Sequence, residues 1–263
     1  MLQRPRPELD LASTDQPMRL VFAPSGAELE AALECEGDVF EQRFGESREH
    51  LRGSLAAHED TSVFLAVLAS DGTAVAASRL VTPGSRRHKT LDYLAEAPWG
   101  LDADECADLA GVRLESTYDV ATLCVRPRSE GEGALWTAAL CHGMFQIAKA
   151  NGVSHTVALL DEGARARLAA VGIIYTAFPG ASPQPFDGSP ATTPVYASMT
   201  EMVERQRRDF PEAYALIGKG LGLSGVHVPS LEHFRVPALP VTLDVRESRW
   251  DVAAAGLEAV GMA

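Results

Sequence analysis

Residues 119–133 read Asp119-Val120-Ala121-Thr122-Leu123-Cys124-Val125-Arg126-Pro127-Arg128-Ser129-Glu130-Gly131-Glu132-Gly133. The run 120–125 is short and apolar, with β-branched residues, and predicts a buried strand. Pro127 offers no N–H to a ladder and ends it. Gly131 and Gly133 then lead into a helical pattern over 134–150, which Asn151-Gly152 stops with a residue suited to a left-handed cap. The first N–H groups of a helix lack internal partners and lie at the positive end of its dipole. Glycines beside them let a ligand approach the backbone. Such a stretch suits a phosphate or pyrophosphate, and it equally suits a plain strand-to-helix turn. Neither G-x-x-x-x-G-K-[ST] nor G-x-G-x-x-G is present.

Arg128-x-x-Gly131-x-Gly133, after a strand ending Val125-x-Pro127, resembles the Q/R-x-x-G-x-G/A acyl-CoA pyrophosphate loop of the GNAT acyltransferase superfamily. A strand at 156–160, a helix at 162–170 and Gly172-Ile173, where the family has Gly-Phe, follow in the family's order. The resemblance implies an α+β fold: a mixed, mainly antiparallel twisted sheet flanked by helices, here with a C-terminal extension. It divides the chain into a flexible arm at 1–18, an acyltransferase domain at 19–200 with an insertion at 84–118, and an extension at 201–263. In the family the central strand splays from its neighbour and docks pantetheine. Carried over, Leu123, Cys124 and Val125 would make those contacts, and Arg128, Ser129, Gly131, Glu132, Gly133 and Ala134 would hold the pyrophosphate. Glu130 and Glu132 are expected to face solvent.

The chain has 263 residues and is 46% hydrophobic, enough for a sizeable core. Its net charge is −13 and its pI near 5.0. That excludes a nucleic-acid surface, which needs a dense basic patch, and disfavours an anionic membrane surface. The run Arg86-Arg87-His88-Lys89 reads as a solvated loop or, alternatively, as a contact for the phosphates of an acyl carrier. The four cysteines, 35, 106, 124 and 141, form no C-x-x-C pair. Cys124 and Cys141 are expected as small core residues. With neither a signal-like run nor an apolar stretch of membrane-spanning length, the expected compartment is the cytoplasm.

In chain order, 19–23 predicts a strand. Ser25-x-x-Glu28 reads as a capping box before a helix ending near Gly45, and a second helix is expected over 48–57. Residues 63–68 and 73–81 form a hairpin about Ser70-Asp71-Gly72. Arg79-Leu80-x-x-Pro83, and Phe40-x-x-Arg43-Phe44, resemble segments of acyl-homoserine-lactone and N-acyl amino acid synthases. This makes Arg79 and Phe40 candidates for the substrate pocket; otherwise Arg79 is a strand-end charge and Phe40 is core. Trp99, in the insertion, is a lid anchor or a packing residue, and 102–109 is a short helix. Further on, the expectations are a strand at 173–178, a loop at 179–194 containing five prolines, a strand at 195–199, a helix at 201–218 and a terminal helix at 250–260.

The resemblance implies direct attack of an amine on a thioester. The base would be Asp119 or Glu115, unless these are solvated strand-entry caps. The family's usual tyrosine acid falls at Leu168, so Tyr175 or Tyr196 would substitute, or the thiolate leaves unaided. The seven histidines are scattered, and no H-E-x-x-H or paired Cys/His spacing predicts a metal. No G-x-S-x-G elbow occurs. Three functions stay open: transfer from acyl-CoA to the amine of a small metabolite, synthesis of N-acyl amino acids or lactone signals from an acyl-carrier protein, and an acyl-CoA-binding module without catalysis. The tail is also a candidate homodimer contact.

Overall fold

The computed structural model describes residues 17–83, 87–126 and 130–236. Residues 1–16 of the expected arm, Arg128 and Ser129, and the helix at 250–260 lie outside these, whereas Met18, expected in the arm, is buried and opens the first strand. Among the described residues nine strands form one sheet: β1 Met18–Phe22, β2 Ser62–Leu68, β3 Ala74–Val81, β4 Thr117–Val125, β5 His155–Asp161, β6 Thr176–Ala177, β7 Gln184–Phe186, β8 Ser189–Ser198 and β9 Val226–His227. The order is β6-β8-β5-β4-β3-β2-β1-β9, with β7 also on β8. The β4–β5 and β1–β9 pairs are parallel and the others antiparallel. The expected mixed, mainly antiparallel sheet is what forms.

The helices are α1 Ala27–Phe44, α2 Arg48–Leu55, α3 Lys89–Ala95, α4 Ala103–Ala110, α5 Glu130–Asn151, α6 Glu162–Ala170 and α7 Met199–Asp209. One face of the sheet packs on α5, whose Leu135, Trp136, Leu140 and Ile147 are buried with Leu20, Leu65, Val67 and Val120. At Gly143 a Cβ would lie 2.6 Å from Leu65 Cδ2, so glycine sets how closely α5 approaches the sheet. The other face packs on α1, where Ala32, Cys35 and Val39 meet Phe64, Ala66 and Cys124. The segment expected as an insertion folds into α3 and α4. Their Leu91, Leu94 and Cys106 cluster with Val157 and Phe178.

A buried ion pair pins α1 to the sheet. Arg79 Nε donates to Glu36 Oε1 at 3.0 Å and Nη2 to Oε2 at 2.5 Å. Thr122 Oγ1 donates to Glu36 Oε1 at 2.6 Å, and the guanidinium lies over Phe64. Arg79 is thus no strand-end charge. Arg79→Met strands a buried carboxylate and should cost about 3–5 kcal/mol, while adding Glu36→Leu should restore most of it. Urea unfolding checks this; a single variant as stable as the parent would contradict the pinning role.

Several boundaries differ from expectation. Ser25 makes no cap: α1 begins after Gly26 without a side-chain cap bond. The second helix stops at Leu55 and continues as a 3₁₀ segment over Ala56–Thr61. The helix expected at 201–218 breaks at Phe210, because Pro211 lacks an N–H and disfavours helical geometry before it. The chain resumes as a short α-helical stretch, Pro211–Ala213, that runs on into a π-helical turn, Tyr214–Gly218. The strand expected at 173–178 shrinks to β6, whereas β8 extends back through Pro194 to Ser189. Pro194 is tolerated because it falls between the partners of β6 and β7, where its missing donor costs no ladder bond. No described helix is long and apolar enough to cross a membrane.

Candidate active site

Strands β4 and β5 pair only from Thr117 with His155 to Val120 with Ala158. At that point β4 carries a bulge. Arg79 and Leu80 of β3 oppose Thr122 and Val120, which leaves Ala121 extra. A bulge bends and twists its strand, and here β4 parts from β5. Among the described residues, beyond Val120 its β5-facing edge has no strand partner, while Leu159, Leu160 and Asp161 pair only with β8. The parting opens a cleft of ≈ 570 Å³ between β4, β5 and the first turns of α5 and α6.

Leu123 and Val125 line the cleft half-buried, as the docking expectation requires. Cys124 borders it, but its thiol turns to the α1 side, 4.0 Å from Cys35 Sγ, and donates to Ala77 O. Helix α5 begins at Glu130, four residues before the expected Ala134, so Gly131, Glu132 and Gly133 form its first turn and not a loop. The N–H groups of that first turn have no partner within the helix itself, and the turn follows closely on the end of β4. Gly133 and Ala134 line the cleft, and a Cβ on Gly133 would meet nothing within 4 Å.

The opposite wall comes from three loops. Gly45, with φ 70°, caps α1 and turns the chain to Glu46, and Ser47 caps α2 by accepting from His50 N. Phe186-Asp187-Gly188-Ser189 is a two-residue hairpin with φ of 42° at Asp187 and 71° at Gly188, the signs of a type I′ turn. Gly188 is obligatory there, because a Cβ would sit 2.1 Å from Phe44 O. Lys89 opens α3. These loops bring Phe40, Phe44, Glu46, Lys89, Phe186 and Asp187 to the cleft.

The Glu46 side chain is 6% exposed, and its Oε1 accepts no hydrogen bond among the described residues. Burial, then the charge of Asp187, raises its pKa, against the pull of Lys89 and His50. Lys89 Nζ donates to the bulge carbonyl Ala121 O at 3.2 Å. Burial lowers its pKa, opposed chiefly by Asp119 and Glu46. Neither His88 nor Lys89 is the solvated charge expected of that basic run; both are buried.

The other candidates fall elsewhere. Asp119 is wholly buried and accepts from Thr90 N at 2.6 Å and Thr90 Oγ1 at 2.8 Å, so it anchors α3 and does not line the cleft. Burial raises its pKa to about 6, against the two Thr90 bonds. Glu115 is exposed at the far end of β4. Tyr175 is buried beside Thr156 Oγ1 at 3.4 Å, in a small apolar pocket behind the cleft. Burial pushes its pKa up. Tyr196 stacks on Phe178. Phe40 lines the cleft, Arg79 lies beneath it in the ion pair, and Trp99 backs Phe186 at 5.3 Å between centroids while donating to Ser182 O. Sequence reasoning missed Glu46, Phe186 and Asp187. The dipeptide Asp187-Gly188 is a hairpin signal that would have found the last two.

Searches with family models and against curated proteins found no match. Solved structures do match. FeeM, an N-acyl amino acid synthase from uncultured soil microbes, aligns with TM-score 0.56 at 11% identity over 73% of this chain and 95% of its own. BjaI, a CoA-dependent acyl-homoserine lactone synthase solved with SAM and isopentyl-CoA, gives 0.51 at 17% over 83% and 97%. The chain has the GNAT fold. The acyl-homoserine lactone synthase LasI aligns similarly, with TM-score 0.51 at 12% identity over 70% and 91%. Within this GNAT fold the parted strands and the start of α5 converge on one cleft, and Glu46, whose Oε1 accepts no hydrogen bond among the described residues, lies in its wall.

Proposed function

We propose that the protein is an acyltransferase that moves an acyl group from acyl-CoA to the amine of a small metabolite. The parting of β4 from β5 directly before the N-terminus of α5 carries this reading. Pantetheine amides add to the free edge of β4 around Leu123 and Val125 as an extra strand would. The first-turn N–H groups of α5, with Gly133 and Ala134, take the diphosphate. The acyl chain points towards Leu123, Cys141, Leu160 and Leu168, which are shared with the small apolar pocket of ≈ 20 Å³ lined also by Met144, Met199 and Met202.

The amine enters from the side of Phe186, Asp187 and Glu46. Glu46 accepts its proton as nitrogen attacks the thioester carbon. The tetrahedral intermediate collapses with breakage of the C–S bond, and the thiolate leaves. Lys89, held against the bulge carbonyl, places positive charge beside the reacting centre. Among the earlier candidates, Asp119 then positions α3 and Lys89, and Phe40 shapes the acceptor side.

Likeness to N-acyl amino acid and lactone synthases supports an amine acceptor with further polar groups, and one of those relatives is CoA-dependent by description. The test is thermal shift with CoA, acetyl-CoA, longer acyl-CoAs and acyl-carrier protein, followed by turnover across an amine library. At 100 times Kd a ligand of the native state alone should add about 2.7 kcal/mol. Stabilisation by acyl-CoA with turnover is the expected result. A response to carrier protein alone would move the donor, binding without turnover would leave a binding module, and no response would end the reading.

A further inference from the structure

We propose that Glu46, His50 and Asp187 form a binding site for a first-row divalent cation of the zinc type at the mouth of the cleft. One ligand atom from each lies within 4.8 Å of the other two, and Glu46 Oε1 is 3.8 Å from His50 Nε2. Sequence spacing gave no hint, since Glu46 and His50 are only an i,i+4 pair until the β7–β8 hairpin delivers Asp187 from far along the chain.

What distinguishes this cluster from an ordinary acidic surface is Glu46. Its carboxylate is more than nine-tenths buried, and Oε1 points at His50 with no hydrogen bond from any described residue. A buried oxygen left so costs its full desolvation unless something fills the place. Asp187 and His50 are both exposed, whereas Glu46 is buried, so two solvent-facing side chains meet one buried ligand. Zinc bonds of about 2.0–2.2 Å to nitrogen and oxygen require those side chains to close inward only modestly. An imidazole with two carboxylates favours zinc, cobalt or nickel over magnesium or calcium. Three protein ligands leave a coordination position open toward the cleft. Lys89 opposes the cation from α3, so the cluster sets two carboxylates against one buried ammonium.

Occupancy removes the Glu46 lone pairs from proton transfer, so the cation inhibits acylation. This consequence rests on the acyltransferase reading, whereas binding itself does not. Isothermal titration and thermal shift of the full chain with Zn²⁺ and Co²⁺, and with Mg²⁺ and Ca²⁺ as comparators, test the site. The wild type should bind Zn²⁺ with one site, and Co²⁺ should give a d–d absorption band. His50→Ala should weaken Zn²⁺ binding by more than about 100-fold, since even outer-shell partners contribute about 10–100-fold. Because the His50 side chain is exposed, this variant should keep its stability, so lost binding reports the missing ligand and not unfolding. Absence of a Zn²⁺ response, equal binding by His50→Ala, or equal affinity for Mg²⁺ would each overturn the site. Zn²⁺ binding that needs His50 but leaves turnover unchanged would keep the site and reject Glu46 as the base.

Discussion

Glu46→Gln should lower kcat for amine acylation by about 10²–10⁴-fold, the usual contribution of a positioned general base. The substitution keeps the shape of the side chain and removes only its capacity to take a proton. KM for the acyl donor should stay the same, because the proposed donor site lies along β4 and α5, across the cleft from Glu46. Thermal stability should hold or rise, since a neutral amide relieves both the desolvation of a buried carboxylate and its repulsion by Asp187. Steady-state kinetics with saturating donor check this. A variant with unchanged kcat would return the base to Asp119 or to water, and Asp119→Asn would then be the next comparison.

The second large effect concerns the other wall. Gly133 lines the cleft from the first turn of α5, with open space where a side chain would start. Gly133→Trp should fill that space and raise Kd for acyl-CoA by more than about 100-fold, equal to about 2.7 kcal/mol. The same change should not unfold the protein. Glycine is among the least favourable residues inside a helix, so tryptophan there gains about a few tenths of a kcal/mol of propensity. Titration calorimetry alongside a melting curve separates the two effects. Tight binding by a folded Gly133→Trp protein would mean that the diphosphate lies elsewhere.

How far the sequence reached depended on the range of each signal. The β2–β3 hairpin at Asp71-Gly72 was legible because turn chemistry acts within a few residues, and the helix at Glu162–Ala170 followed from the element order of the family resemblance. The central strand was legible as an apolar run, but its bulge at Ala121 was not, since it exists only in register with β3. Burial of Lys89 could not be foreseen within a basic run, because it depends on α3 docking beside Asp119 and Ala121. Glu46 fell in the short link between two expected helices and carried no local signal. Its burial in the cleft wall arises only when Phe186, Asp187 and Gly188 fold over the end of α1, and the surrounding prolines disguised that hairpin as a loop. Arg79 drew notice as a substrate contact, whereas its partner Glu36 lies on α1, a long-range pairing that no local pattern encodes.

The stretch after α7 is no detachable appendage. Leu216, Ile217, Leu223, Val226 and Phe234 belong to the same core as Trp136 and Leu140, and β9 lies beside β1. Asn151 at the end of α5 donates to Phe234 O and accepts from Val236 N. A gene trimmed after residue 200 would therefore encode a protein with a greasy flank and a bare β1 rim, prone to clump with its own copies. Shortened versions meant for crystallisation or display should retain everything through Val236.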